Sequence, residues 1–255
     1  MRQGRQPERN PGFVPDVAGL SRPQTVFFVL AETPCPYLAG RRERKLITEI
    51  DGFDATRLYS ALSRAGFRRS HQFAYRPACD GCAACVPVRV VVDGVHLTRS
   101  LGRVWRANAD LTAVQAPARA TAEQYDLFDR YIRSRHGDGE MAGMTFSDYR
   151  GMVEHSRIDT RMVEFRDSRR RLVAACLTDW LDDGSSAVYS FFDPALSRRS
   201  LGTYMVLWLI MAARARGLPY TYLGYWIAGS PKMAYKTRFR PLEALGPDGW
   251  TVLCG

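Results

Sequence analysis

Two stretches of this 255-residue chain carry residue types suited to chemistry. The first is Ser197-Arg198-Arg199-Ser200-Leu201-Gly202-Thr203, two guanidinium groups, small hydroxyl residues and a glycine at the expected start of a helix. The first turn of a helix has backbone N–H groups without intrahelical partners and the positive end of its dipole, so an anion is favoured there. The bland reading of Arg198 and Arg199, a solvated basic loop, stays open on local chemistry alone. The second stretch is Cys79-Asp-Gly-Cys82-Ala-Ala-Cys85, three cysteines at successive CxxC spacing. With Cys35 they make four thiolates, the number that a tetrahedral zinc ion or an iron–sulfur cluster requires. Reduced thiols without a metal, and a redox pair in Cys79/Cys82 or Cys82/Cys85, are the other readings of the same spacing. Cys176 and Cys254 sit singly among apolar residues and read as core or edge positions.

The elements that must position these groups follow from the apolar pattern. Ala187 to Phe192 is a short β-branched and aromatic run stopped by Asp193-Pro194, which predicts a strand. Leu201 to Ala215 is mostly apolar and free of proline, which predicts a buried helix with Ser200 as N-cap and Gly217-Leu218-Pro219 as its stop. Tyr220 to Trp226 is a second strand, and a strand–helix–strand of this size implies a parallel crossover. Thr121 to Arg135 is an amphipathic helix with Tyr125, Phe128, Tyr131 and Ile132 on one face. Phe146 to Glu154 is another helix, and Met162–Phe165 with Leu172–Asp179 reads as an antiparallel hairpin. Upstream, Ala55 to Ala65 has helical spacing, while Gln72–Tyr75 and Val86–Val92 read as strands. The pattern breaks at Asn108 to Thr121. The expected fold class is therefore α+β (mixed α/β): a mobile tail over residues 1–24, a cysteine-containing domain over 25–110, and a second domain over 111–255.

Thirty-six Lys and Arg against 26 Asp and Glu give a formal net charge of +10, which points to a polyanionic partner. An arginine-rich composition alone would be weak support, but the cations cluster: Arg41, Arg42, Arg44 and Lys45; Arg68 and Arg69; Arg99, Arg103 and Arg106. If Thr98 to Asn108 is helical, the last group shares one face, as a phosphate-backbone contact requires. With 46% hydrophobic and 24% charged residues, wholesale disorder is excluded. The start lacks an apolar signal region and no apolar run is long enough to span a bilayer, so a cytosolic protein without membrane attachment is expected. Disulfides are disfavoured in that compartment.

The Arg198–Thr203 turn looks like the pyrophosphate-binding turn of GNAT acyltransferases, and the order of helices, meander, basic loop, helix and strand is the one those folds follow. More specific blocks occur in one order along the chain. They are Arg68-Arg69-Ser70; Tyr75-Arg-Pro-Ala-Cys79 through Cys85-Val-Pro-Val-Arg89; Thr98-Arg99-Ser100 through Asn108-Ala-Asp110-Leu111; and Tyr131 through Arg135-His136 to Met141. Then come Arg199-Ser200-Leu201-Gly202-Thr203-Tyr204 and Tyr222-Leu223-Gly224-Tyr225-Trp226-Ile227 through Lys232-Met233-Ala-Tyr235-Lys236. Together these resemble the arginyl-tRNA–protein transferase family, in its bacterial branch of aspartate/glutamate leucyltransferases, from about Thr25 to Trp250.

That resemblance implies a cysteine-bearing N-terminal region followed by a GNAT-like aminoacyltransferase domain. It implies transfer of leucine from leucyl-tRNA to the N-terminal amine of proteins beginning with Asp or Glu, which are then degraded through the N-degron pathway. Arg99, Arg103, Arg198, Arg199, Ser200, Gly202 and Thr203 become the candidates for holding the aminoacyl-tRNA. Asp193 is a candidate proton acceptor, and Tyr225 or Tyr235 a candidate proton donor to the ribose leaving oxygen. Lys232, Lys236 and Arg238 are the candidate cations for the acceptor's acidic side chain. Backbone amides around Phe191 and Phe192 are the candidate oxyanion donors. Aminolysis of an ester needs no cofactor, so the implied iron–sulfur cluster or zinc on Cys35, Cys79, Cys82 and Cys85 stands apart from the chemistry; here Cys35 lacks the nearby cysteine partner the family's eukaryotic relatives carry. Two readings outside the resemblance are an acetyl-CoA-dependent N-acetyltransferase, on the basic turn, and a non-enzymatic RNA-binding or redox-sensing module, on the cysteines.

Overall fold

The computed structural model describes residues 25–135 and 140–253; the expected tail and Cys254 lie outside them. A small antiparallel sheet runs in the order β1 (Phe28–Val29), β4 (Lys45–Glu49), β6 (Phe73–Pro77), β5 (Arg68–Ser70), beside a ribbon of β2 (Thr33–Pro34) and β3 (Arg42–Glu43). The helix α1 (Ala55–Arg64) joins β4 to β5. Among the described residues a second, eight-stranded sheet has β14 (Gly249–Val252), β13 (Leu242–Gly246), β7 (Val86–Val91) and β12 (Tyr220–Trp226) on one side. It continues through β11 (Gly184–Phe192), β10 (Leu172–Leu181), β9 (Thr160–Arg166) and β8 (Thr112–Pro117). All of its pairings are antiparallel except β11 with β12.

Helices cover both faces of the large sheet. The helices α3 (Ala122–Arg135) and α4 (Phe146–Glu154) pack Leu127, Phe128, Tyr149 and Val153 onto Met162, Ala175 and Leu177. On the opposite face α5 (Leu201–Ala215) packs Leu201, Tyr204 and Met205 onto Val163, Phe165 and Cys176, with α2 (Arg99–Arg106) alongside it. Neighbouring residues of β10 thus alternate between two cores, and the strand is buried along its whole length. A strand buried on both faces loses the apolar–polar alternation, which is why Leu172 onward reads as a continuous apolar run.

The expected helix at 201–215 and strand at 220–226 have those bounds, and the crossover between β11 and β12 is parallel. The first strand begins earlier than expected, at Gly184 rather than Ala187. The expected boundary at Asn108 to Thr121 holds the edge strand β8, whose Thr112–Pro117 pairs with β9. Val86–Val91, from the cysteine-bearing region, lies inside the same sheet between β13 and β12. Residues 25–110 and 111–255 therefore share one sheet.

Two features of this sheet matter for function. The parallel ladder covers only Gly184–Tyr220, Ser185–Thr221 and Ser186–Tyr222; beyond it β11 and β12 part. Register shifts lie beside the parting, at Leu177/Thr178 and at Tyr222/Gly224, and Gly224 has φ +72°, which an L side chain adopts at a cost. Second, the small sheet is fixed to the large one by charge. Arg69 of β5 donates from Nε and Nη2 to the two carboxylate oxygens of Asp179 on β10, at 2.7 and 2.8 Å. Thr160 Oγ1 donates to the same carboxylate at 2.6 Å, and Arg69 Nη1 donates to the carbonyl of His71 at 2.7 Å. Both charged side chains are fully buried.

A buried pair contributes little over an apolar substitute, but removing one partner strands the other charge. Arg69→Met and Asp179→Leu are each expected to lower unfolding stability by about 3–5 kcal/mol, and the double variant to recover much of it. Denaturant titration of the three variants reads this; additive single losses would contradict it.

Candidate active site

Where β11 and β12 part, a cavity of about 170 Å³ opens. Residues 187–190 of β11 and Leu223 of β12 form its walls, Met205, Val206 and Leu209 of α5 its floor. Arg68, Tyr131, Cys176, Tyr235 and Lys236 also line it. A strand that has lost its partner on one side presents alternate N–H and C=O groups to the space, so the far part of β11 supplies backbone donors to the cleft.

Lys236 is buried, at 5% exposure, in a turn that follows β12, and its Nζ donates to the carbonyl of Tyr225. Burial, and after it the positive charge of Arg68, brings its pKa down to about 7. Near neutral pH a large fraction of Lys236 is therefore an uncharged amine. Its candidate role as a cation for the acceptor's acidic side chain therefore meets a competing one, because a desolvated ammonium beside a guanidinium holds its proton less tightly. Tyr235 stands next to it, 39% exposed, and burial of its surroundings raises its pKa, so the hydroxyl keeps its proton. Cys176 is a core thiol, pushed up to about 11 by burial, and therefore inert as a nucleophile.

In the sequence Arg68 belongs to a basic cluster and to one of the blocks that carry the resemblance, with no role of its own. Adjacent residues on a strand point to opposite sides, so while Arg69 turns into the ion pair, Arg68 turns toward the cleft. It lies against Gly224, where a Cβ would sit 2.5 Å from Nε, and its guanidinium is 5.7 Å from the centre of the Tyr225 ring.

The start of α5 forms the outer rim. Ser200 occupies the N-cap position with φ +52°, but its side chain makes no capping bond, so the first turn keeps its N–H groups without a side-chain partner. Gly202 allows the end of β11 to approach; a Cβ there would meet the Phe192 ring at 3.3 Å. Arg238 Nη1 donates to Thr203 Oγ1 at 3.5 Å, which brings Arg238 to the same rim. Arg198 is exposed and has no ion pair among the described residues. Lys232 is likewise exposed. On α2, Arg99 and Arg103 are exposed on the helix whose end is tied to the rim by Arg199.

Three of the candidate side chains are engaged by other groups of the chain. Arg199 donates to Asn108 Oδ1 at 3.0 Å, to the carbonyl of Ala107 at 3.2 Å, and to Asp110. Asp193 caps a turn, accepting from the amide of Ala195 at 3.0 Å, with Arg171 3.8 Å away, and it does not line the cleft. Tyr225 is 2% exposed, and its hydroxyl is held by the carbonyls of Gly66 at 3.1 Å and Tyr75 at 3.0 Å. Burial first, and then Tyr75, holds its pKa well above 10. It is a strut between the two sheets.

The four N-terminal cysteines line a different and larger cavity, about 940 Å³, together with Tyr37, Tyr75, Arg57, Arg64 and Leu245. They are free thiols, half-buried, and close enough that after burial the neighbouring Cys35, Cys79 and Cys82 help push Cys85 up to about 11. Among the described residues no group of three or more His, Cys, Asp or Glu side chains is arranged to hold a metal ion. Cys79 Sγ accepts from the backbone amide of Arg44 at 3.4 Å. The cations at 41–45 are also largely engaged, Arg42 and Arg44 by Glu32 and Lys45 by Glu43. No helix among the described residues is long and apolar enough to cross a membrane.

Comparison with known proteins gives two family matches. Residues 33–103 match the arginine-tRNA-protein transferase N terminus, and residues 123–246 match its C terminus. An aspartate/glutamate leucyltransferase of Paramagnetospirillum magneticum is 61% identical over 231 residues, covering 91% of this chain and 94% of that protein. One from Granulibacter bethesdensis is 55% identical over 238 residues, covering 93% and 89%. Among solved structures, FemX aligns with 9% identity and a TM-score of 0.43 over 74% of this chain and 65% of that one.

The lowered pKa of Lys236 has a consequence for stability. The unfolded chain binds its lysine proton up to about pH 10.5 and the folded chain only up to about pH 7, so in that window stability rises with pH. Compared with Lys236→Met, the wild type is expected to gain about 1 kcal/mol per pH unit between pH 7 and 8.5. Urea unfolding of both proteins at three pH values measures the difference; parallel profiles would contradict it.

Proposed function

The chain belongs to the arginyl-tRNA–protein transferase family, in its branch of aspartate/glutamate leucyltransferases, and from that premise we propose that its reaction is run in the cleft between β11 and β12. The reaction is transfer of leucine from leucyl-tRNA to the N-terminal amine of a protein beginning with Asp or Glu, which marks that protein for degradation. The observation that carries it is identity of 50–61% to proteins of this name across most of the chain.

Aminolysis of an aminoacyl ester is downhill, so the task is to bring a neutral amine against a carbonyl and to manage two protons. The exposed cations of α2, Arg99 and Arg103, with Arg198 and Arg238, are suited to the phosphates of the acceptor stem. The first turn of α5 at Gly202 and Thr203 is suited to the 3′-terminal phosphate. The leucyl ester then enters the cleft, and amides from the unpaired part of β11 stabilise its developing oxyanion.

The acceptor amine has an ordinary pKa near 8, so a neutral fraction is present at pH 7. As its nitrogen bonds to the leucyl carbon, neutral Lys236 takes the proton that the nitrogen sheds. The carbon–oxygen bond to the ribose breaks, and Tyr235 supplies the proton to the leaving oxygen. The Lys236 proton passes to the Tyr235 oxygen and restores both groups. No cofactor takes part, and no step passes through the cysteines. The finer architecture is read as a cysteine-bearing region preceding a GNAT-like acyltransferase unit, with the parted parallel strands and the uncapped helix start in support. Charged tRNA places the reaction in the cytosol.

The test is transfer of radiolabelled leucine and arginine, offered as charged tRNA, to peptides beginning with Asp, Glu, Lys or Ala. Leucine is expected on the Asp and Glu peptides alone. Arginine transfer would keep the family and overturn the branch. Lys236→Met is expected to lower kcat by about 100-fold, in the range of general acid–base contributions, and to remove the activity rise through pH 7.

A further inference from the structure

We propose that Arg68 is the residue that reads the acidic side chain of the acceptor, forming a two-pronged ion pair with its carboxylate inside the cleft. This rests on the transfer reaction proposed above and assigns its acceptor specificity to one side chain.

The other arginines buried among the described residues, Arg69 and Arg89, are both paired. Arg69 is satisfied by Asp179, and Arg89 by Glu243 at 2.8 Å and the faces of Tyr220 and Trp250. Arg68 is half-buried yet has neither a carboxylate nor a hydrogen-bond acceptor for its guanidinium among the described residues. It has only the ring of Tyr225 beneath it. A guanidinium is charged at any working pH and presents a planar fork matched to a carboxylate. Held in a poorly solvated cleft without an anion, it is a site waiting for one.

Its surroundings prepare that place. Gly224 is the residue whose missing side chain leaves room for the Arg68 stem, at a backbone angle that glycine tolerates. Tyr225, fixed by two carbonyls, gives the guanidinium a rigid floor. Lys236, the other cation lining the cleft, gives up part of its charge near neutrality and spends a donor on the carbonyl of Tyr225, so it competes less for the anion.

Size and position choose between the two anions that the reaction brings. A space of about 170 Å³ lies below the ~300 Å³ at which sites for nucleotide-sized ligands begin, so it suits amino-acid groups and not a nucleotide. The exposed cations at the rim suit the tRNA phosphates instead. Binding also couples to chemistry. A carboxylate on Arg68 cancels part of the charge that depresses Lys236, which makes that amine a stronger base only when an acidic acceptor is present.

The experiment compares wild type, Arg68→Met and Arg68→Lys with peptides beginning Asp, Glu and Gln. It reads peptide affinity by calorimetry, transfer kinetics, and leucyl-tRNA affinity. Arg68→Met is expected to weaken binding of Asp and Glu peptides by about 100-fold, to raise KM accordingly, and to collapse the preference for Glu over Gln. Leucyl-tRNA affinity is expected to stay within about three-fold. Arg68→Lys keeps the charge but loses the fork, and is expected to fall about ten-fold for Glu. Should Arg68→Met not fold, the Lys variant decides, and undiminished Glu affinity there overturns the proposal. Equal loss for Glu and Gln would make Arg68 a structural residue, and loss of leucyl-tRNA affinity would make it a phosphate contact; either overturns it. Selective Glu binding through Arg68 without transfer would instead keep Arg68 and reject the reaction.

Discussion

The buried ion pair between Arg69 and Asp179 is the constraint on which the site depends. Asp179 belongs to the middle of the large sheet and Arg69 to the edge strand of the small one, so the pair fixes the second against the first. Because neighbouring strand residues point to opposite sides, fixing Arg69 also fixes the direction of Arg68. A short strand of three residues could not hold a long cation in a cleft by its own pairing. The pair supplies that rigidity, and Tyr225, bonded to carbonyls at Gly66 and Tyr75, supplies a second tie between the sheets.

The parting of β11 from β12 converts this rigidity into a reaction space. A parallel crossover needs a helix, and α5 delivers both the floor of the cleft and an uncapped positive end at its rim. One element thus places apolar surface where the leucyl group is to lie and partial positive charge where phosphate is to lie. Burial then does the electrostatic work. In water Lys236 would be an ammonium at pH 7, and Arg68 would be screened. In the cleft one holds its proton less tightly and the other lacks a counterion among the described residues, and the two states support each other.

Much of this was legible in the sequence and some was not, for physical reasons. The helix Leu201–Ala215 and the strand Tyr220–Trp226 were legible because long apolar periodicity and Gly-Pro punctuation are local signals. The edge strand Thr112–Pro117 was not, since a proline and scattered alanines imitate a linker and only pairing with β9 makes it a strand. Residue type nominates Tyr225 and Asp193 for proton transfer, yet each is held by backbone groups far away or nearby in sequence that a one-dimensional pattern cannot weigh. Rarity singles out Lys236 in a chain with three lysines, but its charge state follows from desolvation, a property of the packed cleft. Arg68 was hidden inside a basic cluster. Its lack of an acceptor among the described residues appears only when its neighbours are seen to be paired.

The most direct measurement of the central account is a crystal structure with two stable stand-ins bound together, a leucyl-adenosine amide and a peptide beginning with Glu. The leucyl carbonyl is expected beside residues 187–192 of β11, the peptide amine next to Lys236, and the peptide's carboxylate on Arg68. Both ligands seated in the cysteine-lined cavity of about 940 Å³, with the cleft between β11 and β12 unvisited, would contradict it.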